Sequence, residues 1–202
     1  MITDKIYYRR GKFLVENMKF EQLLALHCAP TLAGIKGGNL ITVQKRKMND
    51  FFSLLHEYEK CLNCKGIFFE VLSESPHYFL VLVYRKTALL KILAQPQNRD
   101  LLLSLGYRKS DGIEECLIYL KIRMQLKKTF PHEIGLFLGY PHADVIGFIE
   151  NKGQKFKLCG YWKVYSDIHA AEKLFERYTK CSDIFCQRLN NGTSIIELAR
   201  VV

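Results

Sequence analysis

The chain has 202 residues, 49% of them hydrophobic and 25% charged, with a formal net charge of +10. That is enough apolar material for one core of domain size, and it excludes a disordered chain. The strongest apolar run, Tyr78 to Tyr84, is strand-sized and far short of the roughly 18 residues a membrane-spanning helix needs.

In chain order, apolar positions at Phe20, Leu23, Leu24 and Cys28 predict a helix over 17–28 that ends near Pro30. Gly34, Gly37 and Gly38 then punctuate the chain before a short strand, Asn39 to Gln44. Asn49 or Asp50 is placed to cap a helix bearing Phe51, Phe52, Leu54, Leu55 and Tyr58, closed by Gly66. Ile67 to Leu72 and Tyr78 to Tyr84 are rich in β-branched and aromatic residues and flank Ser73-Glu74-Ser75-Pro76, which reads as a hairpin. Strands this apolar predict a sheet covered on both faces.

Thr87 to Leu93 and Arg99 to Leu105 read as helices split by Gln95-Pro96-Gln97. Asp111 with Glu114 forms a capping-box pattern ahead of a helix whose inner face is Ile113, Cys116, Leu117, Leu120 and Met124. Pro131 and Pro141 suit the first turns of short helices stopped by Gly139 and Gly153. Lys155 to Tyr165 is the next predicted strand. Asp167 caps a helix carrying Ala171, Leu174, Phe175 and Tyr178 inward, and Asn190-Asn191-Gly192 turns into a final predicted strand, Thr193 to Val201. Without a regular βαβ rhythm or an internal repeat, the expectation is one α+β domain over 1–202, a mixed or largely antiparallel sheet with helical cover.

Seven cysteines, an odd count, favour free thiols over a disulfide framework. Met1 to Lys5 lacks the basic and apolar stretches of a secretion signal, so the expected location is cytoplasmic. Cys61-Leu62-Asn63-Cys64 is a lone CxxC; with Cys181 and Cys186 it has the donors for a four-thiolate metal site, at loose spacing. The basic residues are scattered as Arg9-Arg10, Lys45-Arg46-Lys47, Arg85-Lys86 and Lys127-Lys128. That favours a solvated basic surface over a dedicated nucleic-acid face.

Three segments invite a chemical reading. In His27-Cys28-Ala29-Pro30-Thr31-Leu32-Ala33-Gly34-Ile35-Lys36, a thiol at a helix break is a candidate nucleophile or soft ligand. His27 beside it and Lys36 next to Gly37-Gly38 are candidate ligand contacts, Lys36 as the anion anchor; a buried structural cysteine explains the same residues. In Phe130-Pro131-His132-Glu133-Ile134-Gly135-Leu136-Phe137-Leu138-Gly139-Tyr140-Pro141, His132 is a candidate acid–base or ligating group. Leu136 stands where a zinc-protease motif needs its second histidine, so that mechanism is excluded in its usual form. Glu133 and Tyr140 join as ligand candidates, although Glu133 also suits a helix N-terminus. In Gly160-Tyr161-Trp162-Lys163-Val164-Tyr165, alternation sets Tyr161, Lys163 and Tyr165 on one face, fit for a planar or anionic ligand, and Trp162 in the core.

The first two segments, with Asn39-Leu40, Asp144-Val145, Gly147-Phe148 and Trp162-Lys163-Val164-Tyr165, resemble an uncharacterised bacterial family designated only as a domain of unknown function, DUF3793. The resemblance implies no activity, and the CxxC lies outside it. The leading expectation is a small-ligand pocket built from the three segments, with Cys28 and His132 as thiol or acid–base groups. The alternatives are a basic module for nucleic acid or an acidic partner, and a metal, tetrapyrrole or redox protein using cysteine and histidine ligands.

Overall fold

The computed structural model describes residues 20–47, 50–110, 112–126 and 130–201. The expected cap at Asn49, the box at Asp111 and the basic pairs Arg9-Arg10 and Lys127-Lys128 lie outside these residues.

The core sheet follows from three apolar strands, β1 (Gly38–Gln44), β2 (Ile67–Glu74) and β3 (Tyr78–Arg85). They pair antiparallel in the order β1-β3-β2, with Ile41 opposite Val81 and Phe69 opposite Val83, and a bulge between Val71 and Ser73. Central β3 is buried from Phe79 through Arg85, because both faces of the sheet are covered as its composition predicts. Phe79, Val81 and Val83 face one layer, with Ile41, Val43, Ile67 and Phe69; Leu82 and Tyr84 face the other.

On the first face lie α1 (Phe20–Leu32), α2 (Phe51–Leu62), α8 (Ile168–Asn190) and α9 (Ile195–Leu198). On the second lie α3 (Lys86–Leu93), α4 (Pro96–Ser104), α5 (Ile113–Leu126), α6 (Ile134–Phe137) and α7 (His142–Glu150). A small hairpin of β4 (Leu158–Cys159) and β5 (Lys163–Val164) packs Trp162 and Val164 against Ala171 and Tyr178 of α8. The fold is α+β with antiparallel sheets. Each fully buried Leu, Ile or Phe contributes about 2 kcal/mol, and the two covered faces supply most of that gain.

Three sequence expectations need correction. The first helix does not end before Pro30 but runs to Leu32 with Pro30 in its last turn, where the Pro30 carbonyl accepts from Ile35 N (2.9 Å) and Lys36 N (3.2 Å). Lys155 to Tyr165 is not one strand: Gly160 N donates to Trp162 O at 3.0 Å, folding the segment into the β4–β5 hairpin. Thr193 to Val201 is not a strand either. Ser194 and Glu197 form a capping box that starts α9, and this local pairing outweighs the β-branched content.

A buried arginine and a half-buried lysine tie these elements together. Arg85, 4% exposed at the end of β3, donates to Thr31 O (2.6 Å), Leu32 O (2.6 Å), Lys65 O (3.0 Å) and Arg200 O (2.7 Å). It satisfies the free carbonyls ending α1 with charge of the sign that end prefers. Lys65 does the same at α9, donating to Ile196 O (2.6 Å) and Ala199 O (3.0 Å).

Candidate functional site

The three segments singled out in the sequence converge. After α1, Gly34 (φ 79°) reverses the chain and delivers Lys36 to the α1–α8 side of the sheet. The next residues run directly over α6: a Cβ on Gly38 would lie 2.5 Å from Phe137 O, and one on Gly139 would lie 3.4 Å from Gly37 N. Only glycine permits the Gly38 contact, and Gly139 is favoured as glycine by its φ of 72°. Tyr140 is thereby placed beside Lys36 and stacks on Trp162, ring centroids 5.0 Å apart.

Lys36 is the centre of this junction. Its Nζ lies 5.3 Å from the Tyr140 ring and 5.9 Å from that of Tyr178, and the residue is 6% exposed. Among the described residues, none forms a salt bridge with it or accepts a hydrogen bond from its ammonium. Burial pushes its pKa down to about 7, opposed only by the electrostatic influence of Cys28. The tyrosines around it stay protonated: burial raises both, with Tyr178 pushed up to about 12. Tyr140 Oη donates to Tyr161 O at 3.2 Å, and Tyr161 Oη pairs with Thr179 Oγ1 at 3.2 Å. A lysine in this setting supplies a neutral amine near pH 7, able to accept a proton or attack a carbonyl; once protonated it supplies a cation lacking an acceptor.

Cys28 sits in the same junction but in a different chemical state. It is fully buried in α1, and desolvation raises its thiol pKa well above the ordinary value, against a smaller opposing influence from Lys36. It lies in the core cluster that α1 forms with the sheet. An activated thiolate needs the opposite environment.

His132 belongs to another cluster. Its ring meets Phe148 edge-on at 4.9 Å, its Nδ1 is buried without a partner, and burial lowers its pKa against the smaller pull of Glu133. No hydrogen bond, ring contact or ionic interaction joins it to Cys28. Lys163 lies near the same Phe148 (5.6 Å) and over Phe156 (4.8 Å), and its ammonium donates to Gly153 O at 2.5 Å. Tyr165 is half-buried with its hydroxyl oxygen unpartnered. His27 is half-buried on α1. Glu133, 2% exposed, forms a buried ion pair with Arg123 of α5 and accepts from Tyr107 Oη at 3.3 Å. Those partners occupy it as a structural group.

Asp144 is the functional-looking residue that pattern reading passes over. Its carboxylate, 2% exposed, accepts from Trp162 Nε1 (2.7 Å), Tyr165 N (2.8 Å), Ser166 N (2.8 Å) and Ser166 Oγ (2.8 Å). It fixes the hairpin that holds Trp162 under Tyr140. The one available signal was the tryptophan itself, whose buried N–H demands an acceptor.

Among the described residues no group of three or more His, Cys, Asp or Glu is placed to hold a metal ion. All seven cysteines are free; Cys61 and Cys64 are exposed, and Cys64 Sγ donates to Cys61 O at 3.1 Å. No helix among the described residues is long and apolar enough to cross a membrane.

The profile of a family described as "protein of unknown function (DUF3793)" matches residues 24–199, which takes in all three segments of the junction. The chain belongs to the DUF3793 family. Neither a curated protein nor a solved structure matches this DUF3793 chain.

Proposed function

We propose that this DUF3793 domain binds a small ligand at the Lys36 junction, with Lys36 as its polar anchor and the Tyr140, Tyr178 and Trp162 rings as its walls. The observation that carries this reading is a lysine only 6% exposed, flanked by two tyrosine faces and with no ion pair among the described residues, held where three separate segments meet. A buried charge is normally paired, because desolvation alone costs several kcal/mol (on the order of 5 or more). An anionic or carbonyl-bearing ligand supplies the missing partner, and a planar one suits the tyrosine faces. Acid–base or amine chemistry at Lys36 fits the site better than thiol chemistry at Cys28. Seven free cysteines accord with a reducing, cytoplasmic setting.

The test compares small molecules extracted from natively purified wild-type protein and from Lys36→Met. An anionic or carbonyl compound enriched in the wild type and missing from the variant is expected. Identical extracts, together with unchanged wild-type melting in the presence of a cell-metabolite fraction, refute the reading.

The competing reading, a basic module for nucleic acid, draws on the net charge of +10. Several cations are nonetheless spent internally: Lys36 and Arg85 are buried, Arg123 is paired with Glu133, and Lys65, Lys157 and Lys163 donate to backbone carbonyls. Binding to a mixed-sequence oligonucleotide that weakens steeply with salt would favour it.

A further inference from the structure

A cleft of about 160 Å³ lies on the opposite face of the sheet from Lys36, between α3, α4 and the segment that follows α4. Its apolar wall is Leu90, Leu93, Leu102 and Leu103, with Cys116 of α5 also lining it. Leu90 and Leu103 are 42% and 37% exposed, high for leucines that face a concave surface. The polar side of the lining is Arg99, Arg108 and Lys109, and none of the lining residues is acidic.

The cleft is built rather than incidental. Asn98, 2% exposed, donates to Ile92 O (2.8 Å) and Gln95 Oε1 (3.2 Å) and pairs with His142 Nδ1 (2.9 Å), fixing the α3–α4 corner against α7. Arg99 Nη2 donates to Lys109 O at 2.6 Å, which ties the far wall to α4. Tyr107, another lining residue, is held by Glu133. No described residue forms an ion pair with Lys109.

We propose that this cleft binds a small amphipathic monoanion, its apolar body against the leucine wall and its carboxylate toward Lys109. The volume sets the size: a cavity of about 150 Å³ accommodates benzene, so the apolar body is about one aromatic ring. The cations set the charge, and the leucines exclude a ligand that is polar throughout, such as a free phosphate or a sugar. This inference is independent of the Lys36 junction.

Benzoate and its neutral analogue benzamide, titrated into ¹⁵N-labelled protein at low salt, test it. The expectation is benzoate binding with a Kd of about 1 mM, as suits so small a ligand, with amide shifts confined to α3, α4 and residues 105–110. Benzamide binds at least about fivefold more weakly, because it forgoes the charge-assisted contacts. Lys109→Glu removes that preference, and Ala94→Trp, at an exposed lining position, abolishes binding of both by filling the cleft. Equal affinity for the two probes, shifts centred elsewhere, or no saturation by about 10 mM overturns the proposal. Should Ala94→Trp fail to fold, the wild-type preference and the Lys109→Glu result decide it.

Discussion

Replacement of Lys36 by methionine isolates the energetic consequence of burying an amine without a partner. Methionine matches the length of the lysine stem and its sulfur tolerates the tyrosine faces, so packing is preserved while the titration is removed. Burial lowers the lysine from 10.5 to about 7, so between those values the unfolded chain binds a proton that the folded protein does not. Stability of the wild type therefore rises with pH across that window. At about 1.4 kcal/mol per unit, wild-type stability gains about 3 kcal/mol between pH 6 and pH 9 that the variant does not. The two tyrosine faces favour the ammonium by about 1 kcal/mol, which leaves about 2 kcal/mol as the least change expected. Above pH 9 the raised Cys28 and tyrosine pKa values work in the opposite sense, since the unfolded chain then loses protons that the fold retains. The useful range accordingly ends at pH 9. His132, whose pKa burial lowers, adds its own gain near pH 6, but it is common to both proteins and cancels in the difference. Urea unfolding at unit pH steps from 6 to 9 measures it. The variant should be the more stable protein at pH 6, with the gap closing toward pH 9. Curves that run parallel would show that Lys36 titrates normally, and the partnerless-amine argument would fall with them.

The other predictions concern what holds the junction together. Arg85→Met removes a donor from four carbonyls, of which Thr31 O and Leu32 O keep a backbone donor, and should cost about 3–5 kcal/mol, read from the denaturation midpoint. A Cβ at Gly38 would meet the Phe137 carbonyl, so Gly38→Ala should cost about 1–3 kcal/mol; unchanged thermal melting would mean β1 does not press on α6. Asp144→Asn keeps the shape but puts donors where donors already point, costing about 2–4 kcal/mol and shifting Trp162 fluorescence. In a timed thiol assay exposed Cys61, Cys64 and Cys159 should react first, and Cys28 only as fast as the protein unfolds; rapid modification of Cys28 in folded protein would restore its claim as a nucleophile.

Much of this architecture was legible. The β2–β3 hairpin and the two-sided cover of the sheet follow from unbroken β-branched and aromatic runs, and the caps at Asp50 and Asp167 follow from residue type at a helix start. Alternation also set Trp162 and Val164, which are buried, apart from Tyr161, Lys163 and Tyr165, which are half-buried. What local pattern misses is pairing over long separations. Glu133 suits a helix N-terminus by sequence, yet its environment is set by Arg123 and Tyr107, which no periodicity connects to it. Cys28 reads as accessible if α1 ends near it, but it lies inside a helix that runs to Leu32 and in the core that the helix forms with the sheet. In the final segment, Ser194 and Glu197 form a reciprocal cap that starts a helix, and that local pairing outweighs the β-branched content from which a strand is expected.

Sequence singles out Lys36 for its place beside Gly37-Gly38 but gives no sign of its burial, since the rings against it come from Tyr140 on one segment and Tyr178 on another. This difference bears on function. An exposed lysine at a glycine turn needs no explanation, whereas a buried one without a carboxylate is locally unfavourable, and an apolar side chain of equal length would fill the same space without penalty. Arg85 shows how the fold treats a buried cation that serves structure alone: every face of the guanidinium finds a carbonyl. Lys36 receives no such acceptors from the described residues. Within one small protein, the contrast between a cation ringed by carbonyls and one with no acceptor among the described residues is what makes Lys36 the proposed anchor, since local violations of this kind are where functional groups concentrate.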